Sequence, residues 1–196
     1  MPLFCLFLIL FLTGCEYGQS TLQFAGKTMG TTYSVVLVPQ SLSGRQVDPV
    51  TLQAEVDREL GRISKLMSTY DESSQLSQLN AHPVGKYFTV HPDLYHVLQA
   101  SQELARLSDG AMDVTVGSLV DLWGFGPGYA DSKPPSESEI SLARGNAGYQ
   151  ALDIDVENYR VRRRKAFHVD LSSIAKGFAV DQIRDLLRRR GHDDFL

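Results

Sequence analysis

The sequence predicts an α+β fold (mixed α/β), with helices and strands interleaved along the chain and an antiparallel or mixed sheet flanked by helices. Three observations carry that prediction. Leu52, Val56, Leu60, Ile63 and Met67 recur at helical spacing behind Asp48-Pro49. Thr31 to Val38 alternates instead, with Tyr33, Val35 and Leu37 on one face, as a half-buried strand does. Two more alternating runs, Tyr149 to Asp155 and Tyr159 to Arg163, flank Glu157-Asn158 and pair most simply as an antiparallel hairpin.

The elements follow in order. Lys27-Thr28-Met29-Gly30 is a glycine-bounded approach to the first strand, where a methionine is ordinarily core. Asp48 caps the first helix with Pro49 at its first position, and Ser68-Thr-Tyr-Asp71 ends it. Ser73-Ser74 caps a short helix reaching Leu79, and Tyr87 to Val90 is a brief strand. Pro92 to Leu107 is helical, with Leu94, Val97, Leu98, Leu104 and Ala105 inward and a stop at Asp109-Gly110. An apolar stretch through Leu119, Val120 and Leu122 to Trp123 is broken by Gly124-Phe-Gly-Pro-Gly128. Ser136 with Glu139 forms a capping box for a helix ending near Arg144-Gly145. Ala166 to Val169 is a short strand, and Ile174, Phe178, Ile183 and Leu187 mark a closing helix that stops at Gly191. Asp194-Phe195-Leu196 reads as the start of another strand.

Composition is that of an ordinary globular domain, with 43% hydrophobic and 21% charged residues. The net charge of -4 gives no footing for a nucleic-acid partner. The basic runs Arg160–Lys165 and Arg188–Arg190 read as a solvated strand and a helix end, both at the surface. The two cysteines, Cys5 and Cys15, both precede the expected folded body, so no disulfide framework is available.

Pro2 to Leu12 is almost wholly apolar, too short to span a bilayer and of the length of a signal-peptide core. It ends in Leu12-Thr-Gly-Cys15, which resembles a bacterial lipobox, although no Lys or Arg precedes the run. That implies residues 1–14 as a lipoprotein signal peptide, acyl chains (palmitate among them) on Cys15, residues 15–20 as a tether, and residues 21–196 as the folded part. The expected location is the periplasmic face of a bacterial cell membrane, the inner membrane favoured. An uncleaved apolar anchor is the alternative.

The stretch Asp170-Leu-Ser-Ser-Ile-Ala-Lys-Gly-Phe-Ala-Val-Asp181 bears most on function. It places Ser172 and Ser173 where a helix starts, at the positive end of its dipole, with Lys176 in the first turn. Gly177 inside the helix costs about 1 kcal/mol against Ala, which points to close approach of another backbone or a ligand. An N-cap followed by a packing glycine is the plainer alternative.

This stretch closely resembles a signature of the ApbE family, the FAD:protein FMN transferases. So do Gly26-Lys-Thr-Met-Gly-Thr-Thr-Tyr33, Ser68-Thr-Tyr-Asp71, Asp109-Gly-Ala-Met-Asp-Val-Thr-Val-Gly117 and Leu122-Trp-Gly-Phe125, in the family's order. The resemblance implies that Met29, Tyr70, Ala111, Met112, Asp113, Asp170 and Lys176 contact FAD, and that Ser173 adjoins a magnesium ion. Relatives with an acidic residue at position 176 make that contact the least specific. The implied reaction moves FMN from FAD to a threonine of a target protein, a membrane redox-complex subunit, with release of AMP. Family members run on for well over a hundred residues, so the chain is expected to be an N-terminal portion with the C-terminal part missing. The other metal ligands and the catalytic groups are then expected beyond Leu196, and the five histidines stand scattered with no evident nucleophile beside them. An FAD-binding lipoprotein without transfer activity, or an FAD pyrophosphatase, are the competing readings.

Overall fold

The computed structural model describes residues 21–38, 48–127 and 133–196. Cys5, Cys15, the signal-peptide reading and the tether lie outside the described residues.

The chain opens with a hairpin that the sequence reading half missed: β1 (Leu22–Thr28) pairs antiparallel with β2 (Thr31–Leu37) in a two-stranded sheet. β1 carries only a weak alternation and holds Gly26 in its interior. That glycine makes room for the ring of Tyr33 on the facing strand: a Cβ there would stand 2.5 Å from it and push the ring aside. α1 (Pro49–Met67) starts as expected, Asp48 accepting from the N–H groups of Val50 and Thr51, and buries Leu52, Val56, Leu60, Ile63 and Met67. α2 (Gln75–Ala81) is capped by Ser74, and α3 (Pro92–Leu107) follows β3 (Phe88–Thr89). Leu104, read as inward on α3, is 43% exposed; Ser101 takes the buried place, its hydroxyl donating to the carbonyl of Val97.

Val114–Val116 forms a 3-10 turn leading into α4 (Gly117–Leu122), and α5 (Glu137–Asn146) carries the capping box in full. The predicted strand from Tyr149 begins as a second 3-10 turn, so β4 is shorter (Leu152–Asp155) and pairs antiparallel with β5 (Arg160–Arg163). β5 also pairs with β3, giving a second antiparallel sheet in the order β3-β5-β4. On β5 the surface reading of the basic run fails at Arg163. It is 6% exposed and donates to the carbonyls of Phe167 and His82 at 2.5 and 2.6 Å, neutral acceptors that satisfy a buried guanidinium.

Residues 166–169 are not a strand. Phe167 and Val169 are buried, but the backbone bonds of Val169 go to the side chain of Asn80, not to a sheet partner. α6 (Ala175–Arg189) buries Ala175, Ala179, Ile183 and Leu187 and packs along α1. The final triplet behaves as read: Leu196 and Val36 exchange backbone hydrogen bonds, and Val38 donates to Asp194. One apolar core joins the hairpin, α1, α3, the second sheet and α6. No helix among the described residues is long and apolar enough to cross a membrane.

Candidate functional site

Three structural devices converge on one cleft of about 500 Å³, lined among others by Met29, Tyr70, Ser172 and Lys176. The first is the tip of the β1–β2 hairpin. Met29 and Gly30 have φ of 47° and 71°, the left-handed pair that a tight two-residue hairpin turn demands. A methionine in that conformation is strained by roughly 1 kcal/mol, and such strain gathers at functional sites. It holds the Met29 side chain at the cleft wall, half-buried against the core.

The second device is the loop after α1. Ser68 ends the helix, and its hydroxyl accepts the N–H groups of Tyr70 and Asp71 at 3.1 and 3.2 Å. Buried Ser74 and neighbouring Ser77 both donate to the carbonyl of Ser68, and Lys65 clamps Asp71 at 2.7 Å and Ser73 at 2.9 Å. The bond from Lys65, with those from Ser73, holds the Asp71 carboxyl down at about 2. The loop is therefore rigid, yet Tyr70 is 67% exposed, and its hydroxyl donates to the carbonyl of Phe125 at 2.6 Å. An immobilised, exposed ring is a surface on which a flat heterocycle stacks.

The third device is the start of α6. Ser172 and Ser173 lie one turn ahead of the helix and are exposed; neither caps it, contrary to expectation. The capping position is Ile174, which offers no side-chain bond. No acidic residue occupies the first turn, and the N–H groups of Lys176 and Gly177 have no partner among the described residues. Gly177 has open space where a Cβ would be, so no side chain or neighbouring segment among the described residues packs there. Bare amides, the dipole and the Lys176 ammonium together favour an anion there.

Tyr70 and Thr69 also line a second cleft of about 550 Å³, together with Asn80, Asp121, His168 and Asp170. Its charged groups are mostly acidic. Asn80 grips Val169 on both sides at 2.8 and 2.9 Å, which fixes the extended run and turns His168 and Asp170 to one face. Asp170 accepts the N–H of Ser172 at 2.7 Å, and its own N–H donates to the carbonyl of Val114. His168 Nδ1 lies 2.8 Å from an Asp121 oxygen. Its carbonyl accepts from Gly117 at 3.0 Å, an approach so close that a Cβ on Gly117 would meet that oxygen at 2.6 Å.

The structure thus brings Met29, Tyr70, Lys176 and Asp170 to two adjoining clefts. Ala111, Met112 and Asp113 line neither. Ala111 is exposed and Met112 packs against the core. One Asp113 oxygen accepts the N–H and hydroxyl of Thr115 and the other the N–H of Tyr149, so this carboxylate braces the segment that carries Val114. Sequence reasoning passed over Asn80, Gly117 and the His168–Asp121 pair. The alternation that places residues 168 and 170 on one face was the available signal. Ser173 has no companions for a metal: no group of three or more His, Cys, Asp or Glu side chains converges as a metal site among the described residues. The described residues do not compose a magnesium cage.

The model of the ApbE family matches residues 29–196. The chain is 37% identical to the FAD:protein FMN transferase of Vibrio cholerae serotype O1, over 96% of this chain and 55% of that protein. It is 32% identical to the protein of the same description from Haemophilus influenzae, over 94% and 54%. Among solved structures, the flavin transferase ApbE from Vibrio cholerae superposes with a TM-score of 0.84 at 36% identity, covering 90% of this chain and 56% of that one. The apo form of the Pseudomonas stutzeri flavinyl transferase ApbE gives 0.83 at 37%, covering 90% and 54%. The chain spans little more than half the length of these relatives.

Proposed function

From the premise that this chain belongs to the ApbE family, we propose that it forms the FAD-binding part of a protein flavin transferase. The single observation that carries this is the meeting of Met29, Tyr70 and the uncapped start of α6 on one cleft. The anionic pyrophosphate of FAD goes to Lys176 and the bare amides of α6, a flat ring stacks on Tyr70, and Met29 supplies an apolar wall. The neighbouring acidic cleft accepts hydroxyl or ring N–H donors, with Asp170 as the acceptor nearest the phosphate end. The reaction forms a bond from a threonine oxygen of a target protein to the flavin-side phosphorus and breaks that phosphorus's bond to the bridging oxygen. AMP leaves with that oxygen. Magnesium is implied only by the resemblance of Ser173 to a family position beside the ion. A membrane redox-complex subunit is the proposed target.

Incubating the chain with FAD and magnesium, with and without such a target, tests the reading. FMN on the target supports transfer; free FMN with AMP marks a pyrophosphatase; bound, uncleaved FAD marks a binding lipoprotein; no binding overturns the site. The lipobox-like Leu12-Thr-Gly-Cys15 supports acylation of Cys15 and a periplasmic, membrane-held body. Fatty-acid label should enter the parent chain and be lost in Cys15→Ser; a parent chain without label removes the anchor.

A further inference from the structure

We propose that the recess between α1 and α6 is a seat for anionic phospholipid headgroups, laying that end of the protein on the membrane. The inference rests on the anchor reading of Cys15 for the nearness of a bilayer, and on the structure for the seat.

The recess, about 530 Å³, is lined by Arg58, Arg62, Arg189 and Arg190 with Glu55 and Glu59. Both glutamates are taken. Glu55 is held by Arg190 across the two helices, and Glu59 by Arg62, which also meets Asp93. The guanidinium groups of Arg58 and Arg189 make no hydrogen bond or ion pair with a described residue; Arg189, beside Arg188, acts on Asp185 only at longer range. A chain of net charge -4 therefore leaves unmatched guanidinium groups in one hollow. The negative end of a helix dipole accounts for arginines at the close of α6. It does not account for Arg58, in the middle of α1. Planar guanidinium forks suit phosphodiester oxygens.

Topology puts this recess where the chain enters the fold. Leu22, which opens β1, pairs with Leu37, and the next residue, Val38, donates to Asp194, a few positions past Arg190. Gln53, near the start of α1, reaches the carbonyl of Ala25. Cys15 precedes Leu22 by a stretch that spans about 25 Å when fully extended. Asp48, also at this end, is occupied as the α1 cap. From Arg190 back to Lys176, α6 covers roughly 20 Å. A membrane against the Arg189–Arg190 end thus holds the Lys176 side of the cleft away from the headgroups. Lipid chains and a basic patch together give the two signals that firm membrane attachment requires.

The test titrates the full chain with phosphatidylcholine vesicles, with and without phosphatidylglycerol. Apolar anchoring contributes to both alike, so the quantity read is the ratio of the two affinities. The ratio should favour the anionic vesicles and shrink as salt rises. It should fall about fivefold for each guanidinium removed in Arg58→Gln and Arg189→Gln, with circular dichroism confirming the fold. A ratio of one, or one indifferent to the double substitution, overturns the proposal. So does displacement from anionic vesicles by inorganic phosphate at matched ionic strength, which marks a site for a free anion. Failure of the anchor reading shows separately, as absence of binding to phosphatidylcholine alone.

Discussion

Helices α5 and α6 begin in opposite ways. At α5, Ser136 accepts the N–H of Glu139, Glu139 reaches back to the N–H of Ser136, and Glu137 and Glu139 complement the dipole. At α6 nothing caps, no acid stands in the first turn, and the nearest charge is the unfavourable one of Lys176. Both helices are solvent-facing at these ends, so burial does not explain the contrast. The chain satisfies a helix start where it is only structural and leaves one bare where two other cleft-forming devices meet. A bare start lowers stability and provides an anion seat, and that exchange can be tested by making each helix resemble the other.

The largest effect is expected from Gly177→Glu, which supplies α6 with an acidic residue in its first turn. The site has open space for the side chain. Removing a helical glycine and adding a favourable dipole interaction should raise stability by about 1–2 kcal/mol. The same carboxylate should weaken FAD binding tenfold or more. Thermal melts and isothermal titration read both quantities, and an unchanged FAD affinity would mean the bare start is not the phosphate seat.

Asp170→Asn comes next. If the carboxylate accepts from FAD, losing its charge should weaken binding by about 1–3 kcal/mol. It also accepts the N–H of Ser172, so a lower melting temperature with untouched binding would make it a turn-former only.

How far the sequence foretold all this differs by element. Periodicity located α1, α3 and α6 because each has an apolar face long enough to register, and local chemistry located α5 through its capping box and the caps at Asp48, Ser74 and Ser136. β1 escaped because its pairing depends on Tyr33 lying over Gly26, a partner supplied from another strand. Ala166 to Val169 misled because Phe167 and Val169 alternate as a strand does, while the hydrogen bonds come from Asn80, far off in the chain. The basic run at β5 concealed a buried Arg163 because carbonyl acceptors leave no mark on composition. In the site, motif resemblance named residues that line the clefts, Met29, Tyr70, Asp170 and Lys176. It could not show that Asp113 is saturated by its own backbone neighbours, or that His168 meets Asp121. The bonds from Tyr149 to Asp113 and between His168 and Asp121 are facts of tertiary geometry, joining segments 36 and 47 positions apart.

Ser136→Ala takes the comparison from the other side. Removing the cap from α5 should cost about 1 kcal/mol of stability. FAD affinity should not move, since α5 lines neither cleft. A loss of FAD binding here would show that general loosening, not a local seat, governs both helices.

The smallest effect is expected where α1 ends, at the clamp that presents Tyr70. Hydrogen bonds from Lys65 first, and then from Ser73, bring the Asp71 carboxyl from 3.8 to about 2. Because the folded value is the lower one, the clamp's contribution is complete above the unfolded value and disappears as pH falls between the two. The pair is exposed, so solvent screens it and the contribution is modest. Other carboxylates titrate over the same range, so the informative quantity is the difference in melting temperature between the parent chain and Asp71→Asn. That difference should be constant from neutral pH down to about 4, then close as pH approaches 2. At neutral pH the same variant should lose part of its FAD affinity, because the loop holding Tyr70 against Phe125 has been loosened. A pH-independent difference in melting temperature would show that the side chain contributes by packing, and the rigidity assigned to the Tyr70 loop would then rest on Ser68, Ser74 and Ser77 alone.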